Sequence, residues 1–181
     1  MTRDEALRLV KKNIKSENLV KHSLAVESAM RELARELGED EELWALTGLL
    51  HDLDYDQTDM SNHGLVAYDM LKKHNLPEQI LLAIRRHPGR AGDTPETALD
   101  YALYSVDPLT GLIVASALMH PTRKLKYLDV DFIKRRFKEK RFAAGANRDQ
   151  IRACEKLGLT LDRFIELTLR AMQGISEQLG L

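Results

Sequence analysis

The chain has one cysteine, Cys154, among 181 residues. That excludes an intrachain disulfide, disfavours a thiolate-built structural zinc site, and suits a reducing compartment. Aromatic residues make up only 6%, so stacking against a planar base would have to come from Trp44, Tyr55, Tyr68, Tyr101 or Tyr104. Charge of neither sign prevails: the formal net charge is -1. This argues against a general binder of nucleic-acid polymers or membranes, although local patches can still attract an anion. The longest apolar run, about Leu109 to Met119, falls well short of the roughly 20 residues that span a bilayer. The opening Met-Thr-Arg-Asp-Glu holds no apolar signal core, so the expected location is cytoplasmic. No stretch alternates as a half-buried strand does, and no repeat or low-complexity tract is present.

What is there reads as helix throughout. At 44% hydrophobic the chain can bury one substantial core, and its periodicity gives no reason to divide it, so residues 1–181 are read as a single domain. Thr2 and Glu5 form a capping box for a helix to about Lys15. Ser16 opens a longer helix with a stripe of Leu19, Val26, Met30, Leu33 and Leu37, closed by Gly38. A third runs from about Glu41 to Leu53. After the acidic turn residues Asp54, Asp56 and Asp59, Ser61 starts a helix through Val66, Met70 and Leu71. Pro77 suits the first turn of the next, with Ile80, Ile84 and His87 on one face. The loop Pro88 to Pro95 is irregular, and a long helix from about Glu96 to Met119 is interrupted by Pro108. Beyond it lie the basic segment Lys134 to Arg141, a turn from Phe142 to Ala146, a helix starting at Asn147, and a last amphipathic helix with Leu161, Phe164, Ile165, Leu169 and Met172. The apolar faces of these last helices need burying, so the segment is expected to pack on the rest.

His51 and Asp52 are adjacent at the end of an apolar helix, and His22, His63, His87 and Asp107 each lie on or beside an apolar helix face. Taken singly, a histidine in such a place is ordinarily a hydrogen-bonded core residue, and His74 and His120, at helix ends, are read that way. Taken together, the six would be several separate desolvation costs in one core, and a buried carboxylate costs several kcal/mol unless paired or coordinated. A metal satisfies them at once. Imidazoles and carboxylates suit Fe, Mn, Co, Ni or Zn.

At this point the chain resembles the HD-superfamily metal-dependent hydrolases, whose signature is a His, a later His-Asp pair and a distal Asp. The match falls on His22, His51, Asp52 and Asp107 and covers about residues 16–120. His63 and His87 resemble the two extra histidines of the binuclear branches, which include the bacterial diadenosine tetraphosphatases. The last third, about residues 121–181, looks like the extension of a small group of HD hydrolases with the same His-Asp-Leu-Asp-Tyr run. The resemblance implies an all-α HD-domain helical bundle with additional C-terminal helices, and one or two divalent transition-metal ions. It also implies a phosphohydrolase in which Asp52 bridges two ions and a metal-activated hydroxide attacks a small phosphate ester or phosphoanhydride, a nucleotide being the expected substrate. Two other classes stay open: an HD-fold di-iron oxygenase using the same six ligands, and a non-catalytic metal-bound sensor or interaction domain. Two positions depart from the family pattern. Tyr55 stands where many HD enzymes carry a phosphate-contacting Lys, and Pro108 should kink the long helix or restart it with Asp107 near its cap.

With that Lys missing, the anion must be met elsewhere. Arg85, Arg86 and Arg90 bracket His87, with Gly89 and Gly92 loosening the loop, and arginine forks suit phosphate. Lys138, Lys140, Arg141 or Arg148 could reach the cleft mouth, although a solvated face is the ordinary use of such a run. Asp54 and Asp56 are candidates beside Asp52 for proton transfer or a further metal contact, though a plain turn explains them equally well. The expected partner is a small phosphorylated molecule, with no nucleic-acid polymer and no membrane, and a homodimer is left open.

Overall fold

The computed structural model describes residues 1–181, and no strand occurs among them. Helix α1 (Arg3–Asn13) begins at the Thr2 capping box, in which Thr2 and Glu5 satisfy each other's amides. Helix α2 (Glu17–Leu37) ends at Gly38, whose φ of 73° closes it in the left-handed region. Ser16 takes the N-cap position of α2 without a side-chain hydrogen bond.

Helix α3 is shorter than its apolar pattern suggests, running Glu41–Leu50 under an Asp40 cap. The chain then tightens into turns closed by bonds from Leu53 N to Leu50 O, Tyr55 N to Asp52 O and Gln57 N to Asp54 O. Helix α4 spans Leu65–Leu71 and does not start at Ser61. The side chain of Asp59 instead accepts from the Ser61 and Asn62 amides and folds that stretch into a turn. The start of α4 is set by Gly64, at φ 81°, where an added Cβ would come within 2.9 Å of the Ile84 carbonyl oxygen. Helix α5 follows Pro77 as Glu78–Arg86.

Helix α6, Ala98–Met119, starts at a Thr97–Asp100 capping box and contains Pro108 without interruption. The expected restart at Asp107 does not occur, because α6 is the central rod: α2, α5 and three helices of the last third, α7 (Val130–Lys138), α8 (Arg148–Arg152) and α9 (Leu161–Gly174), all pack on it, and that packing holds it continuous across one missing N–H. It is also the one helix long and apolar enough by length and composition to cross a membrane, and more than half of its apolar window is buried inside the protein.

The last third forms α7 (Val130–Lys138), α8 (Arg148–Arg152), α9 (Leu161–Gly174) and α10 (Ser176–Leu179). A tight 3₁₀ continuation carries α8 to Leu157, ending at Gly158 with φ 75°. Helix α9 packs on α2, α6 and α7, and α8 packs on α6. One apolar cluster of 42 buried residues therefore runs from Ala6 to Leu179 and takes in Ile133, Phe137, Ile151 and Phe164 alongside Met30, Leu49 and Leu109.

Candidate metal centre

Six side chains from five segments meet at one end of the bundle. His22 comes from the second turn of α2, His51 and Asp52 from the end of α3, His63 from the turn before α4, His87 from the end of α5, and Asp107 from the middle of α6. His51 is fully buried, and Asp52, His63 and His87 nearly so. His22 Nε2 lies 3.0 Å from Asp107 Oδ1 and 3.5 Å from Asp52 Oδ2. Asp52 Oδ1 is shared, with the Nε2 atoms of His51, His63 and His87 at 3.2, 3.2 and 3.6 Å. Two trios, His22–His51–Asp107 and His51–Asp52–His87, keep their ligand atoms within 4.8 Å of one another.

The other ring nitrogens explain the orientation. His51 Nδ1 donates to the Gly48 carbonyl at 2.8 Å and His87 Nδ1 to the Ile84 carbonyl at 2.6 Å, each reaching back one turn of its own helix. His63 Nδ1 donates to Asp54 Oδ1 at 2.8 Å. Thr110, whose hydroxyl donates to the Asp107 carbonyl, accepts from His22 Nδ1 at 3.3 Å. With Nδ1 carrying the proton in all four rings, every Nε2 turns a lone pair inward, the tautomer that metal-bound imidazoles require.

Left to protein atoms, the arrangement is unfavourable. His51 Nε2 is buried, near two carboxylates but hydrogen-bonded to neither, and His63 Nε2 faces His87 Nε2 at 3.0 Å, lone pair to lone pair. A divalent cation supplies the partner that His51 lacks and removes that repulsion, so the residues fit the ion. Without one, protons take its place. Burial pulls His51 down, but the charges of Asp52 and Asp107 outweigh it and hold the imidazole well above its ordinary value. His63 behaves the same way: burial is overcome by hydrogen bonds to Asp52 and Asp54, and its pKa is raised to about 9. His87 moves the opposite way, lowered by burial and by the neighbouring rings. Burial raises Asp52 and Asp107, yet the surrounding imidazoles win, and both carboxyls stay below the usual range.

Around this centre lies a cleft of about 500 Å³. Its lining includes Leu19, Tyr55, Met60 and Pro88. The last third of the chain contributes Ala143, Gly145, Ala146 and Gln150, whose side chain makes no hydrogen bond within the protein. Tyr55 sets its ring edge-on to His63 at 5.4 Å. Of the five aromatic residues considered for stacking, only Tyr55 reaches the cleft.

No lysine or arginine lines this cleft, and the cations proposed from sequence are engaged elsewhere. Arg85 donates to Asp93 at 2.8 Å, and Arg86 to Asp100 at 2.9 Å and Glu96 at 2.7 Å. Arg90 holds the His63 and Arg85 carbonyls together with Asp93. Arg148 spends its guanidinium on the carbonyls of Phe137, Phe142, Ala143 and Ala146, and Lys138 is exposed outside the cleft lining. Arginines next to carboxylates and bare carbonyls are drawn to those first: Asp93 takes Arg85 and Arg90, and the His63 and Arg85 carbonyls take the rest of the Arg90 guanidinium.

The acidic pair separates as well. Asp54 is fully buried and turns from the centre to accept from His63 Nδ1 and from the Gly64 and Ala67 amides at 2.8 and 2.9 Å. It orients the His63 ring and caps α4 from a distance. Its carboxyl is depressed: burial opposes, and these bonds prevail. Asp56 is exposed and accepts from the Lys15 amide. Sequence reasoning does not single out two further lining residues, Gln150 and Gly111, the second a glycine inside a long helix whose cost is itself a signal.

An all-helical bundle with four inward imidazoles and two carboxylates at one end carries a His-Asp cluster that could hold a metal ion. A family model for the HD domain matches residues 19–125. The chain belongs to the HD domain family, whose members are in general metal-dependent phosphohydrolases. It is similar to an uncharacterized protein of Methanocaldococcus jannaschii, 33% identical over 145 residues, covering 76% of this chain and 85% of that one. It is also similar to ribonuclease Y of Desulfotalea psychrophila, 33% identical over 97 residues, 52% of this chain but only 18% of the enzyme. A tRNA (cytidine(56)-2'-O)-methyltransferase of Picrophilus torridus matches at 27% over 117 residues, 65% of this chain and 34% of that protein.

Proposed function

We propose that this protein is a metal-dependent hydrolase of a small phosphate ester or phosphoanhydride, with a nucleotide as the substrate class to test first. Its metals would be one or two divalent ions drawn from Fe, Mn, Co, Ni and Zn. The carrying observation is the set of four imidazoles whose Nδ1 protons are all engaged, with the buried Nε2 of His51 left without a protein partner. His22, His51, Asp52 and Asp107 would hold the first ion, and His63 and His87 would join Asp52 at the second. When bound, such ions polarise a phosphoryl oxygen and lower the pKa of a coordinated water toward about 7. The protein's own contribution is to keep Asp52 and Asp107 ionised, to fix His63 through Asp54, and to offer the Tyr55 ring and the Gln150 amide to the substrate's organic part. With no lysine or arginine on the cleft wall, phosphate charge would be met chiefly at the metals. A cytoplasmic setting suits this reading, since a lone cysteine, Cys154, forms no intrachain disulfide.

The same bare wall supports a second reading, an HD-fold di-iron oxygenase acting on a neutral substrate. One experiment separates them: metal analysis of freshly purified protein, then a turnover screen with each metal, with and without O2. The screen would cover nucleotides and simple phosphate esters, and, given the ribonuclease Y relative, a short RNA. Metal-dependent phosphate release without O2 is expected. Turnover of a neutral compound only with O2 would establish the oxygenase, and no turnover of any phosphate ester with any metal would overturn the hydrolase.

A further inference from the structure

A second cavity of about 450 Å³ adjoins the metal cleft and shares His22 and Gly111 with it. It lies between α2 and α6. Along α6 the residues Asp107, Gly111, Val114 and Leu118 follow one another at helical spacing, so a single face leads from a metal-centre carboxylate to an exposed leucine. Val114 and Leu118 line the cavity with Leu179, and Asn18 and Lys21 face them from α2. Leu118 is 53% exposed although it is a large apolar residue.

Gly111 is the telling position. Glycine inside a helix is unfavourable relative to alanine, and here packing does not demand it, because an added Cβ would meet nothing within 4 Å. Its backbone is ordinary helix, so no left-handed conformation demands it either. What a glycine does provide is an open floor where the two cavities join. Lys21 is the one cation lining either cavity, its ammonium lying 3.2 Å from the exposed Glu17 carboxylate, a screened pair that a ligand anion can displace.

We infer that this second cavity is a subsite for the organic part of the substrate, its occupant an apolar group that carries an anionic substituent at its far end, entering over Gly111 and ending at Lys21. The inference rests on the hydrolase reading, in that the phosphoryl end is placed at the metal centre. Apolar carbons of the ligand lie against Val114, Leu118 and Leu179, and the distal charge pairs with the Lys21 ammonium.

The test uses the metal-loaded full chain and non-hydrolysable alkylphosphonates of increasing length, from methyl to hexyl, with and without a terminal carboxylate, titrated by calorimetry. Affinity is expected to rise by about threefold to fourfold per methylene over the first carbons, as for apolar area removed from water, and by about tenfold more with the terminal carboxylate. Gly111→Leu, which closes the junction, and Leu118→Asp, on an exposed site that tolerates charge, should each flatten the length dependence. Lys21→Met should erase the carboxylate gain, with metal stoichiometry as in the parent. Methylphosphonate binding with no gain on lengthening overturns the subsite and leaves the hydrolase reading standing. A gain that persists in both Gly111→Leu and Leu118→Asp also overturns it, placing the organic group on the Tyr55 side. No phosphonate binding at all removes the hydrolase reading, and the subsite with it.

Discussion

The histidine–aspartate cluster inside the segment matched by the HD family model, residues 19–125, and the Arg148 anchor in the last third treat polar groups in opposite ways, although Arg136 Nε in the last third is also buried without a partner. In the HD segment a buried imidazole nitrogen has no partner and two others face each other at 3.0 Å. In the last third Arg148 is half-buried, and its guanidinium is used up on backbone carbonyls. A polar group left unmet in a core costs free energy, and a group fully met contributes it. The first pattern marks chemistry, the second construction. The wall that Arg148 ties down consists of small residues with one amide, Gln150, so the last third helps shape a cleft whose candidate ligand atoms all come from elsewhere.

The sharpest way to break this contrast is to remove the residue common to both metal trios. His51→Ala should lose all bound metal, and activity should fall by more than about 10³-fold, the several kcal/mol that metal polarisation supplies. Elemental analysis and kinetics check it, and stoichiometric metal in the variant would refute the assignment. A second effect is read by pH. His63 must be neutral to bind a metal, but in the metal-free protein it holds its proton up to about pH 9. Below that value a proton must leave for the ion to enter, so apparent affinity at the His63–His87 position should rise with pH. It should gain up to about 100-fold between pH 7 and 9 and then level off. Chelator competition across that range measures it, and a flat profile would show that His63 is not a ligand.

Asp54 and Asp56 test the contrast within two positions of each other. Asp54→Asn should lower metal affinity or activity by about 10- to 100-fold, because it fixes the His63 tautomer. It should also cost about 1–3 kcal/mol, because it serves two buried amides. Asp56→Asn, on an exposed side chain, should change stability by no more than about 0.5 kcal/mol. Thermal melts with metal titration compare them, and equal effects would remove the distinction.

That distinction shows where sequence stopped being informative. Periodicity and capping residues placed α1, α2, α5, α6 and the last helices within a few residues, because those signals are local. The six residues that converge at the centre are recognisable only as a set: one histidine on an apolar face is ordinarily a core residue, but six such groups in one core share a desolvation cost that a metal would meet, and the family pattern ties them together. The direction of a long side chain was not legible. Arg85, Arg86 and Arg90 flank His87 in the chain, but a guanidinium reaches several ångströms and goes to the strongest acceptor, which here is Asp93, Asp100 or a carbonyl. The start of α4 was misplaced likewise, since its cap is Asp54, ten residues before Gly64. Pro108 broke a local rule that tertiary packing overrode.

Arg148 carries the smaller effect on activity and addresses the last third directly. If its work is architectural, Arg148→Met should keep the aliphatic packing and lose the charged donors, leaving the carbonyls of Phe137, Phe142, Ala143 and Ala146 short of partners. Hydrogen bonds from a charged group are worth about 1.5–3 kcal/mol each, but the loop can relax toward water, so a net loss of about 2–4 kcal/mol is expected. The Ala143–Gln150 wall should loosen, raising KM about threefold to tenfold with little change in kcat, because the wall touches substrate and not the reacting atoms. Metal content should match the parent, since no ligand lies in that segment. Lys138→Ala, exposed and outside the cleft, is the control and should alter neither quantity. A variant at Arg148 that is fully stable but lacks metal would reverse the comparison, because the last third would then be shown to hold the centre together and not merely to face it.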